Sequence, residues 1–542
     1  MTFQQLLDGA EILAQSGTSA GNPSVTSVEY DSRRVKRGSV FVAMKGETSD
    51  GNRFIDRAIA AGATAVVTDS AGEHPRDGVA WAQVAHGRRA LARLSANFYK
   101  RPAERIANIG ITGTNGKSTT AFIVESILRA AGHKTVLIGT IEYKVAGKVL
   151  AAPHTTPESL ELNQLLAEGL AAGVTDSVME VSSHALEQQR VFGIPFDVAV
   201  FTNLTRDHLD YHHTMEEYFG AKQILFEGCG TEPPRVAVVN TDDEYGRQLF
   251  ALARKKSAIA YSYGLNGGDF HAESVEITGR GTRFEMVTPT GKVAIWSPLI
   301  GNINVYNSLA AGAAAYARLT RADGSLSGVA GDRVNGAVRA IVAGIADLTH
   351  VPGRFERVDC GQPFTVVVDY AHTDDALRNL TALAREFVVR SAALPAGEKR
   401  SESENGRRSR GRVITLFGCG GDRDRTKRPL MGEAAGKGSD FAVLTSDNPR
   451  SEDPFTIMND AVVGLQKSGT KYTMEPDRRK AIALAIQQAA PGDIVLLAGK
   501  GHEKVQVTRE VTVPFDDVAV AKEILKAAGF DCAAGQSEGT SA

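Results

Sequence analysis

The stretch Gly110-Ile111-Thr112-Gly113-Thr114-Asn115-Gly116-Lys117-Ser118-Thr119 has the composition of a phosphate-binding loop. An apolar run at 105–111 leads into it and predicts a β-strand. Apolar residues at helical spacing come after it, and Gly132 is a suitable C-cap for that helix. Backbone N–H groups of a glycine-rich loop can turn toward a polyphosphate, and the helix N-terminus adds positive potential. The sequence therefore predicts a strand–loop–helix unit that binds ATP.

Two side chains of this loop have the chemistry that nucleotide binding needs. Lys117 can reach the β- and γ-phosphate oxygens, and the Ser118 hydroxyl can ligate Mg²⁺. The spacing departs from the strict G-x-x-x-x-G-K-[ST] pattern, because Ile111 occupies the position of the first glycine. Strand, glycines, lysine and helix together favour an ATP site over an ordinary turn between a strand and a helix.

Length and composition limit the class of protein. At 542 residues the chain is long enough for about three domains. A net charge of −2 provides no basic field for nucleic acid. No apolar run is long enough to cross a bilayer, and the N-terminus lacks a signal pattern, so we expect neither membrane insertion nor export. The four cysteines are far apart in sequence, which predicts a reduced cytoplasmic protein without disulfides or zinc: Cys229, Cys360, Cys419 and Cys532.

Strand-like and helix-like runs alternate along the chain, which predicts an α/β fold with mainly parallel sheets. The predicted strands lie at 39–44, 63–69, 177–183, 197–204, 235–240, 365–372, 412–424, 441–450 and 493–503. Breaks near 99–102 and 351–354 divide the chain into domains at 1–104, 105–350 and 351–542. The polar insertion 398–412 and the tail 533–542 are predicted to be disordered. A nucleic-acid-binding arm is the alternative for the insertion, but a solvated loop fits its composition better.

Polar residues follow the predicted strands beside the loop. Glu180 lies at the end of one strand, and His208 lies in the segment after the next, so together they could complete the coordination of one or two Mg²⁺ ions. His208 alone would be an ordinary loop histidine, and Lys222 alone an exposed helix lysine. Five further residues could bind a sugar or phosphate, although capping roles explain them almost as well: Thr155, Thr156, Ser182, Gln188 and Arg190.

The third region has a different chemistry. Asp447-Asn448-Pro449-Arg450 follows a predicted strand directly, and Arg450 can grip a carboxylate with two parallel hydrogen bonds. Arg423 could bind a second carboxylate, while Asp447 and Glu503 could accept from an ammonium. Two arginines and two acids at strand ends suggest a zwitterionic amino-acid substrate. The alternative, a dinucleotide fold around the glycines at 418–421, is weak because its G-x-G-x-x-G pattern is incomplete.

On these residues the chain resembles the Mur ligase family, ATP-dependent amide ligases of peptidoglycan precursor synthesis. The motifs that carry the resemblance are TGTNGKST at 112–119, MEVSSHAL at 179–186, NLTRDHLDYH at 203–212, NVYNSLAA at 304–311, PGRFERV at 352–358, DYAHTDDAL at 369–377 and GCGGDRD at 418–424. The resemblance implies a central P-loop domain with a parallel sheet, between an N-terminal α/β domain for a nucleotide sugar and a C-terminal Rossmann-like domain.

Within the family the chain is most similar to the MurE type, which adds the third residue of the stem peptide. The resemblance implies that meso-2,6-diaminopimelate is joined to the D-Glu γ-carboxylate of UDP-N-acetylmuramoyl-L-alanyl-D-glutamate through an acyl phosphate. The DNPR motif at 447–450 is similar to the version for diaminopimelate rather than L-lysine, because Arg450 can bind the additional carboxylate. The resemblance also implies ATP and Mg²⁺ as cofactors, a role in cell-wall synthesis and a monomeric enzyme.

The resemblance assigns residues to five groups of sites. It implies catalytic roles for Lys117, Glu180, His208 and Lys222, with Lys222 carried as a carbamate (N6-carboxylysine). It implies metal binding by Ser118, Glu180 and His208. It implies ATP binding by Gly113, Thr114, Asn115, Gly116, Lys117, Ser118, Thr119, Asn307, Arg354 and Asp369. It implies nucleotide-sugar binding by Ser32, Thr155, Thr156, Ser182, Gln188 and Arg190. It implies diaminopimelate binding by Arg423, Asp447, Asn448, Pro449, Arg450, Gly499 and Glu503.

Three alternatives stay open from the sequence. A lysine-adding Mur ligase would share most motifs, but it would gain nothing from Arg450. Folylpolyglutamate synthase shares the TGTNGK loop, although the DNPR motif and the additional N-terminal domain count against it. A regulatory ATPase that binds partners through its third domain would not need two arginines and two acids in an amino-acid-sized cleft.

Overall fold

The computed structural model describes residues 1–16, 21–46, 49–72, 79–321, 330–391 and 411–532. Most of the insertion 398–412 and the whole tail 533–542 lie outside these ranges. Gly411 and Arg412 are inside them, and Arg412 leads into a strand while its side chain pairs with Asp493, 2.8 Å away. The predicted insertion therefore extended two residues too far, because Arg412 is anchored by a buried carboxylate.

The first of three large sheets contains strands from the N-terminal hundred residues. In the spatial order β1-β5-β4-β3-β2, all neighbours are parallel except β1 and β5. The strands are β1 (Ile12–Gln15), β2 (Ser27–Glu29), β3 (Ser39–Ala43), β4 (Ala65–Thr68) and β5 (Ala80–Val84). The helices are α1 (Phe3–Leu6), α2 (Ile55–Ala60) and α3 (Gly87–Phe98).

The second sheet has eleven strands among the described residues and carries the phosphate loop. The strands are β6 (Ala107–Thr112), β7 (Thr135–Ile138), β8 (Tyr143–Val145), β9 (Lys148–Leu150), β10 (Asp176–Glu180), β11 (Val198–Phe201), β12 (Val236–Asn240), β13 (Ile259–Gly264), β14 (Phe270–Thr278), β15 (Gly281–Thr288) and β16 (Gly291–Ser297). The helices are α4 (Lys117–Ala130), α5 (Ser159–Ala171), α6 (Ser183–Glu187), α7 (Leu209–His212), α8 (Met215–Glu227), α9 (Glu244–Lys256), α10 (Asn302–Leu319) and α11 (Ala330–Asp347).

The order of this sheet explains where its polar strand ends meet. It runs β16-β15-β14-β13-β12-β11-β6-β10-β7-β8-β9, with a parallel centre and antiparallel strands at both edges. The loop strand β6 therefore lies between β10, which ends at Glu180, and β11. The sequence analysis correctly predicted the parallel centre. It missed the antiparallel strands β14 to β16, in which buried and exposed residues alternate because one face is solvated.

The third sheet is a separate α/β layer in the order β17-β18-β22-β19-β20-β21, parallel except for β17. Its strands are β17 (Glu356–Val358), β18 (Thr365–Asp369), β19 (Val413–Cys419), β20 (Phe441–Ser446), β21 (Lys471–Glu475) and β22 (Ile494–Ala498), followed by the hairpin β23 (Val505–Val507) and β24 (Thr512–Pro514). Its helices are α12 (Asp374–Ser391), α13 (Lys427–Gly438), α14 (Pro454–Ser468), α15 (Arg478–Gln487) and α16 (Asp517–Ala527).

Every predicted strand overlaps an observed one, and the three-part α/β fold is confirmed. Each sheet has its own buried aliphatic core; in the central one α4 packs against the loop strand, and α10 and α11 pack against α4. The sheets fall within the predicted domains, whose limits at 104 and 350 stay a prediction. None of the helices in the described ranges is long and apolar enough to span a membrane.

The cysteines contradict the expectation of a fully reduced chain. Cys360, after β17, and Cys532, after α16, form a disulfide, while Cys229 and Cys419 are free and buried. The two bonded cysteines are 172 residues apart in sequence. The prediction was wrong because only folding brings the end of the last helix against the first strand of its own sheet.

Candidate active site

The phosphate loop connects the end of β6 at Thr112 to the start of α4 at Lys117. Gly113 and Gly116 have φ values of +144° and +87°, which L-residues with a side chain rarely adopt. A Cβ on Gly113 would lie 1.9 Å from the hydroxyl oxygen of Thr202. Both glycines are therefore required for the backbone to curve around a ligand at the helix N-terminus.

Two lysines meet at this loop. Lys117 Nζ donates to the carbonyl oxygens of Gly113 and Thr114, at 3.0 and 2.9 Å. Lys222 Nζ, on α8, donates to the same Gly113 oxygen at 3.0 Å and lies 4.4 Å from the centre of the Tyr218 ring. Burial lowers the pKa of both amines, and the charge of Lys117 lowers the pKa of Lys222 further. Lys222 is 1% exposed, so the structure does not support its alternative role as a surface lysine.

Glu180 links the loop to the neighbouring strand. It ends β10, and its Oε2 accepts from the hydroxyls of Ser118 and Thr140, each at 3.0 Å. Its Oε1 accepts from the backbone N–H of Thr140 at 2.8 Å. Arg354, from the third region, donates to the Ser118 hydroxyl at 3.2 Å. A hydroxyl and a carboxylate in contact beside a phosphate loop are oxygen ligands of the kind that Mg²⁺ prefers.

His208 lies in the same region, where its neighbours are an aspartate and two aromatic side chains. It has a φ of +55°, its Nε2 lies 3.4 Å from Asp207, and its ring contacts the rings of His184 and Tyr218. Desolvation lowers the pKa of His208 to about 3, against the opposing charge of Asp207. Within the described ranges, no group of three or more His, Cys, Asp and Glu side chains is arranged around a metal position. A hydrogen bond thus joins Ser118 to Glu180, and the role of His208 as a metal ligand stays a prediction.

The other predicted nucleotide residues surround the loop. Asn307, on α10, accepts from the Thr120 hydroxyl and lies against Gly116. Asp369, at the end of β18, accepts from the N–H groups of Phe355 and Ala371, and burial raises its pKa. The Arg354 guanidinium lies 4.6 Å from the centre of the Tyr370 ring. The third sheet therefore contributes Arg354 and Asp369 to the edge of the loop.

The predicted nucleotide-sugar residues form a cluster beside Glu180. Thr156 donates its hydroxyl to the Glu180 carbonyl and accepts from the Ser182 N–H, and Thr155 contacts Thr140. Arg190 donates to Gln188 and to the Thr156 carbonyl. Five of the six predicted residues thus share one hydrogen-bonded group.

Ser32 lies outside this cluster. It is buried in the turn after β2. Its neighbours reach the same side of the molecule, because Tyr30 and Arg34 both bind Glu161 on α5. The N-terminal sheet is therefore joined to the region that contains the cluster.

The residues predicted for the amino acid converge at the strand ends of the third sheet. Asn448 Nδ2 donates to Glu503 Oε2 at 2.8 Å, and the Asp447 carboxylate lies beside Gly499. Arg450 donates to the carbonyl oxygens of Gly421 and Asn448, so its guanidinium stands over the turn that contains Arg423. Burial and the charge of Arg423 lower the pKa of Arg450. Positive and negative side chains thus lie close together at these strand ends.

Hydrogen bonds and ion pairs connect the segments around the phosphate loop to segments that follow strands of the third sheet. Asn115 of the loop donates to Asp375 at 3.0 Å, and Arg206 pairs with Asp424 at 3.2 Å. Lys427 lies 3.7 Å from Asp207. The segment around Asp424, which follows β19, is therefore in contact with the segment that follows β11, beside the phosphate loop.

Comparisons with known proteins agree with this arrangement. Three family descriptions match the chain: Mur ligase family, catalytic domain at 24–99; Mur ligase middle domain at 111–315; and Mur ligase, glutamate ligase domain at 353–501. A relative from Solibacter usitatus (strain Ellin6076), named UDP-N-acetylmuramoyl-L-alanyl-D-glutamate–2,6-diaminopimelate ligase, is 50% identical and covers 98% of this chain and 99% of its own length. The chain belongs to the Mur ligase family.

Two further Mur ligases support the assignment. A protein of the same name from Bacillus cereus is 45% identical over 93% of this chain and 94% of its own length. A solved structure with that name is 31% identical, covers 97% of this chain and 99% of that chain, and has a TM-score of 0.62. The similarity thus spans all three sheets of this Mur ligase.

The sequence analysis missed two polar residues of this Mur ligase site. Lys500 is completely buried among the predicted amino-acid residues, and Thr140 holds both oxygens of Glu180. Lys500 lies in the same turn as Gly499 and Glu503, which were both predicted to bind the amino acid. This position in the sequence could have indicated that Lys500 belongs to the site. Thr140 follows β7 without a motif, and only the neighbouring position of β7 and β10 reveals it.

Proposed function

We propose that this Mur ligase adds meso-2,6-diaminopimelate to the D-Glu γ-carboxylate of UDP-N-acetylmuramoyl-L-alanyl-D-glutamate, with ATP as the energy source. Its relatives at 50% and 45% identity carry the name of that activity. The observation that carries the proposal is the cluster of charged side chains at the ends of β19, β20 and β22. The cluster contains two guanidinium groups and two carboxylates, and hydrogen bonds and ion pairs connect its sheet to the phosphate loop and the segment after β11.

Activation of the carboxylate must come first, because a carboxylate is a poor electrophile. ATP transfers its γ-phosphoryl group to the D-Glu oxygen, and ADP leaves. Lys117 is positioned to neutralise the charge that spreads over the transferred group. Ser118 and Glu180 would hold Mg²⁺, which when bound supplies further charge neutralisation between the phosphates. Arg354 reaches the same hydroxyl and adds a positive charge from the third sheet.

Lys222 has an environment that suits the proposed carbamate. Only a neutral amine attacks CO₂, and burial beside Lys117 lowers the pKa of Lys222. The carbamate on Lys222 would carry a negative charge. The positive charge of Lys117 would then have an anionic neighbour in place of a second amine. In ¹³C-bicarbonate, the wild type should give a carbamate carbon signal that Lys222→Met lacks. A signal of equal size in both proteins would place the carbamate elsewhere.

The second half-reaction takes place in the amino-acid pocket. The free amine of diaminopimelate attacks the acyl phosphate, the new C–N bond forms, phosphate leaves and the amine loses a proton. Arg450 and Arg423 would bind the distal carboxylate, while Asp447 and Glu503 would accept from the distal ammonium. L-lysine lacks the distal carboxylate and would leave Arg450 without its partner. The pocket therefore favours diaminopimelate over the lysine alternative.

The other two alternatives explain fewer of the observations. A folylpolyglutamate-synthase-like ligase does not require the cluster around Arg190 or the N-terminal sheet joined to it. A regulatory ATPase has no use for an amino-acid pocket that faces its nucleotide. The cytoplasmic location, the monomeric state and the absence of nucleic-acid partners stay predictions from the sequence.

Product analysis tests the proposal. The protein is incubated with ATP, Mg²⁺, the UDP-linked dipeptide and either diaminopimelate or L-lysine, and the products are analysed by mass spectrometry. We expect the diaminopimelate adduct, with ADP formation that depends on the dipeptide. An equal yield of the lysine adduct would contradict the assigned substrate, and ATP hydrolysis without either acceptor would favour the regulatory ATPase.

A further inference from the structure

Lys500 lies at the centre of the amino-acid pocket, in the turn after β22. Its side chain is completely buried. Its Nζ lies 3.0 Å from Asn448 Oδ1, 3.1 Å from Glu503 Oε2 and 3.5 Å from Asp447 Oδ1. Burial of an ammonium is costly unless it is paired and hydrogen-bonded, and these three acceptors match its three N–H donors.

The position of Lys500 determines how the Asn448 amide is oriented. Asn448 Oδ1 accepts from Lys500 Nζ and also from the Val507 N–H at 3.0 Å. An ammonium and a backbone N–H can only donate, so the atom they contact must be the amide oxygen. Asn448 Nδ2 therefore points to Glu503 Oε2, and that oxygen receives both the amide and the ammonium.

The same contacts decide which carboxylate oxygens face the substrate. In the part of the chain that the structure describes, the hydrogen bonds to these two carboxylates go to Glu503 Oε2 and Asp447 Oδ1. The other oxygen of each carboxylate is left for a ligand. A Cβ at Gly499 would lie 3.4 Å from Asp447 Oδ2, so the glycine keeps the approach to that oxygen open.

We propose that Lys500 is a positioning residue for the amino-acid substrate. It donates hydrogen bonds to Asp447, Asn448 and Glu503 on the side away from the substrate. One oxygen of each carboxylate then points to the substrate ammonium. Without Lys500, Glu503 and Asp447 would be free to turn toward Arg450 and occupy the place of the substrate carboxylate. This inference deepens the proposed function and rests on it.

Steady-state kinetics of Lys500→Met test the inference. Methionine has a similar length and no charge, so the packing is largely kept. We expect the KM for diaminopimelate to rise roughly 30-fold or more, because hydrogen bonds between charged groups are lost. The KM for ATP should change less than about twofold. Lys504→Met is the matched control, since Lys504 is exposed and pairs with Asp516 outside the pocket.

A double-mutant cycle separates positioning from general damage. If Lys500 acts through Glu503, Lys500→Met should cost much less in a Glu503→Gln background than in the wild type. Equal costs in both backgrounds, or a uniform loss for all three substrates, would overturn the inference. Lys500→Gln, which keeps an N–H donor, provides a second variant; failure of both variants to fold would make Lys500 structural and also overturn it. A wild type that forms no diaminopimelate adduct would instead refute the proposed function itself.

Discussion

Lys117 and Lys222 donate to one and the same acceptor, because both Nζ atoms lie 3.0 Å from the carbonyl oxygen of Gly113. Two ammonium groups on one oxygen repel each other, and burial strengthens the repulsion. The arrangement is therefore costly unless one amine is neutral or modified.

The first prediction concerns Lys222 and pH. Its pKa in the folded protein is lowered, so the unfolded chain binds a proton that the folded chain does not. The lowered pKa of Lys222 reduces the free energy of unfolding. This loss is absent at pH values above the ordinary lysine pKa and grows as the pH falls below that value. In CO₂-free buffer, Lys222→Met should therefore unfold at a higher temperature than the wild type, by more at pH 7 than at pH 10. Lys256→Met, on the exposed end of α9, is the control and should show no such trend.

The second prediction concerns Lys117 and the chemical step. Lys117→Ala removes the charge that the transferred phosphoryl group requires, so product formation should fall by roughly 10²-fold or more. The fold should be kept, because the methylene chain of Lys117 contributes only part of the packing at the start of α4. ADP release is measured with both acceptors present, beside a circular-dichroism melt. Retention of wild-type ADP formation would show that the loop is not the ATP site.

The third prediction concerns the selectivity of Arg450. Arg450→Ala should raise the KM for diaminopimelate by about 10- to 150-fold, the equivalent of ~1.5–3 kcal/mol for hydrogen bonds to a charged group. The KM values for ATP and the UDP-linked dipeptide should stay within about threefold. Arg479→Ala is a suitable control, because Arg479 is exposed and pairs with Glu523 away from the pocket. Equal losses for all three substrates would argue against a role in selectivity.

The fourth prediction concerns the disulfide. Cys360 and Cys532 close a loop across 172 positions of sequence, and such a bond contributes roughly 2–4 kcal/mol to stability. Reductant should therefore lower the unfolding temperature of the wild type and leave that of Cys532→Ser unchanged. In denaturant without reductant, Cys229 and Cys419 should be the two thiols that react with a thiol reagent. Four reactive thiols would mean that the bond does not form.

Much of the fold could be predicted from local sequence. Apolar runs with glycine and polar residues at their ends identify the parallel strands at the centre of each sheet, because such strands are buried on both faces. The strands at the edge of the second sheet alternate in burial, and the analysis of apolar runs missed them. The distant pair Cys360 and Cys532 was missed, because the spacing of cysteines in the sequence does not show which of them lie close together in the fold.

The sequence by itself determined which chemistry this protein has: a loop for ATP, a carboxylate beside it, and arginines and acids for an amino acid. Each of these signals is local, since a motif at a strand end carries its chemistry in adjacent residues. Only the tertiary structure decided how the groups act on one another. Strand order places Glu180 against Ser118, and helix packing brings Lys222 to the oxygen that Lys117 also uses. The buried position of Lys500 likewise depends on contacts between the ends of β20 and β22, which are far apart in the sequence.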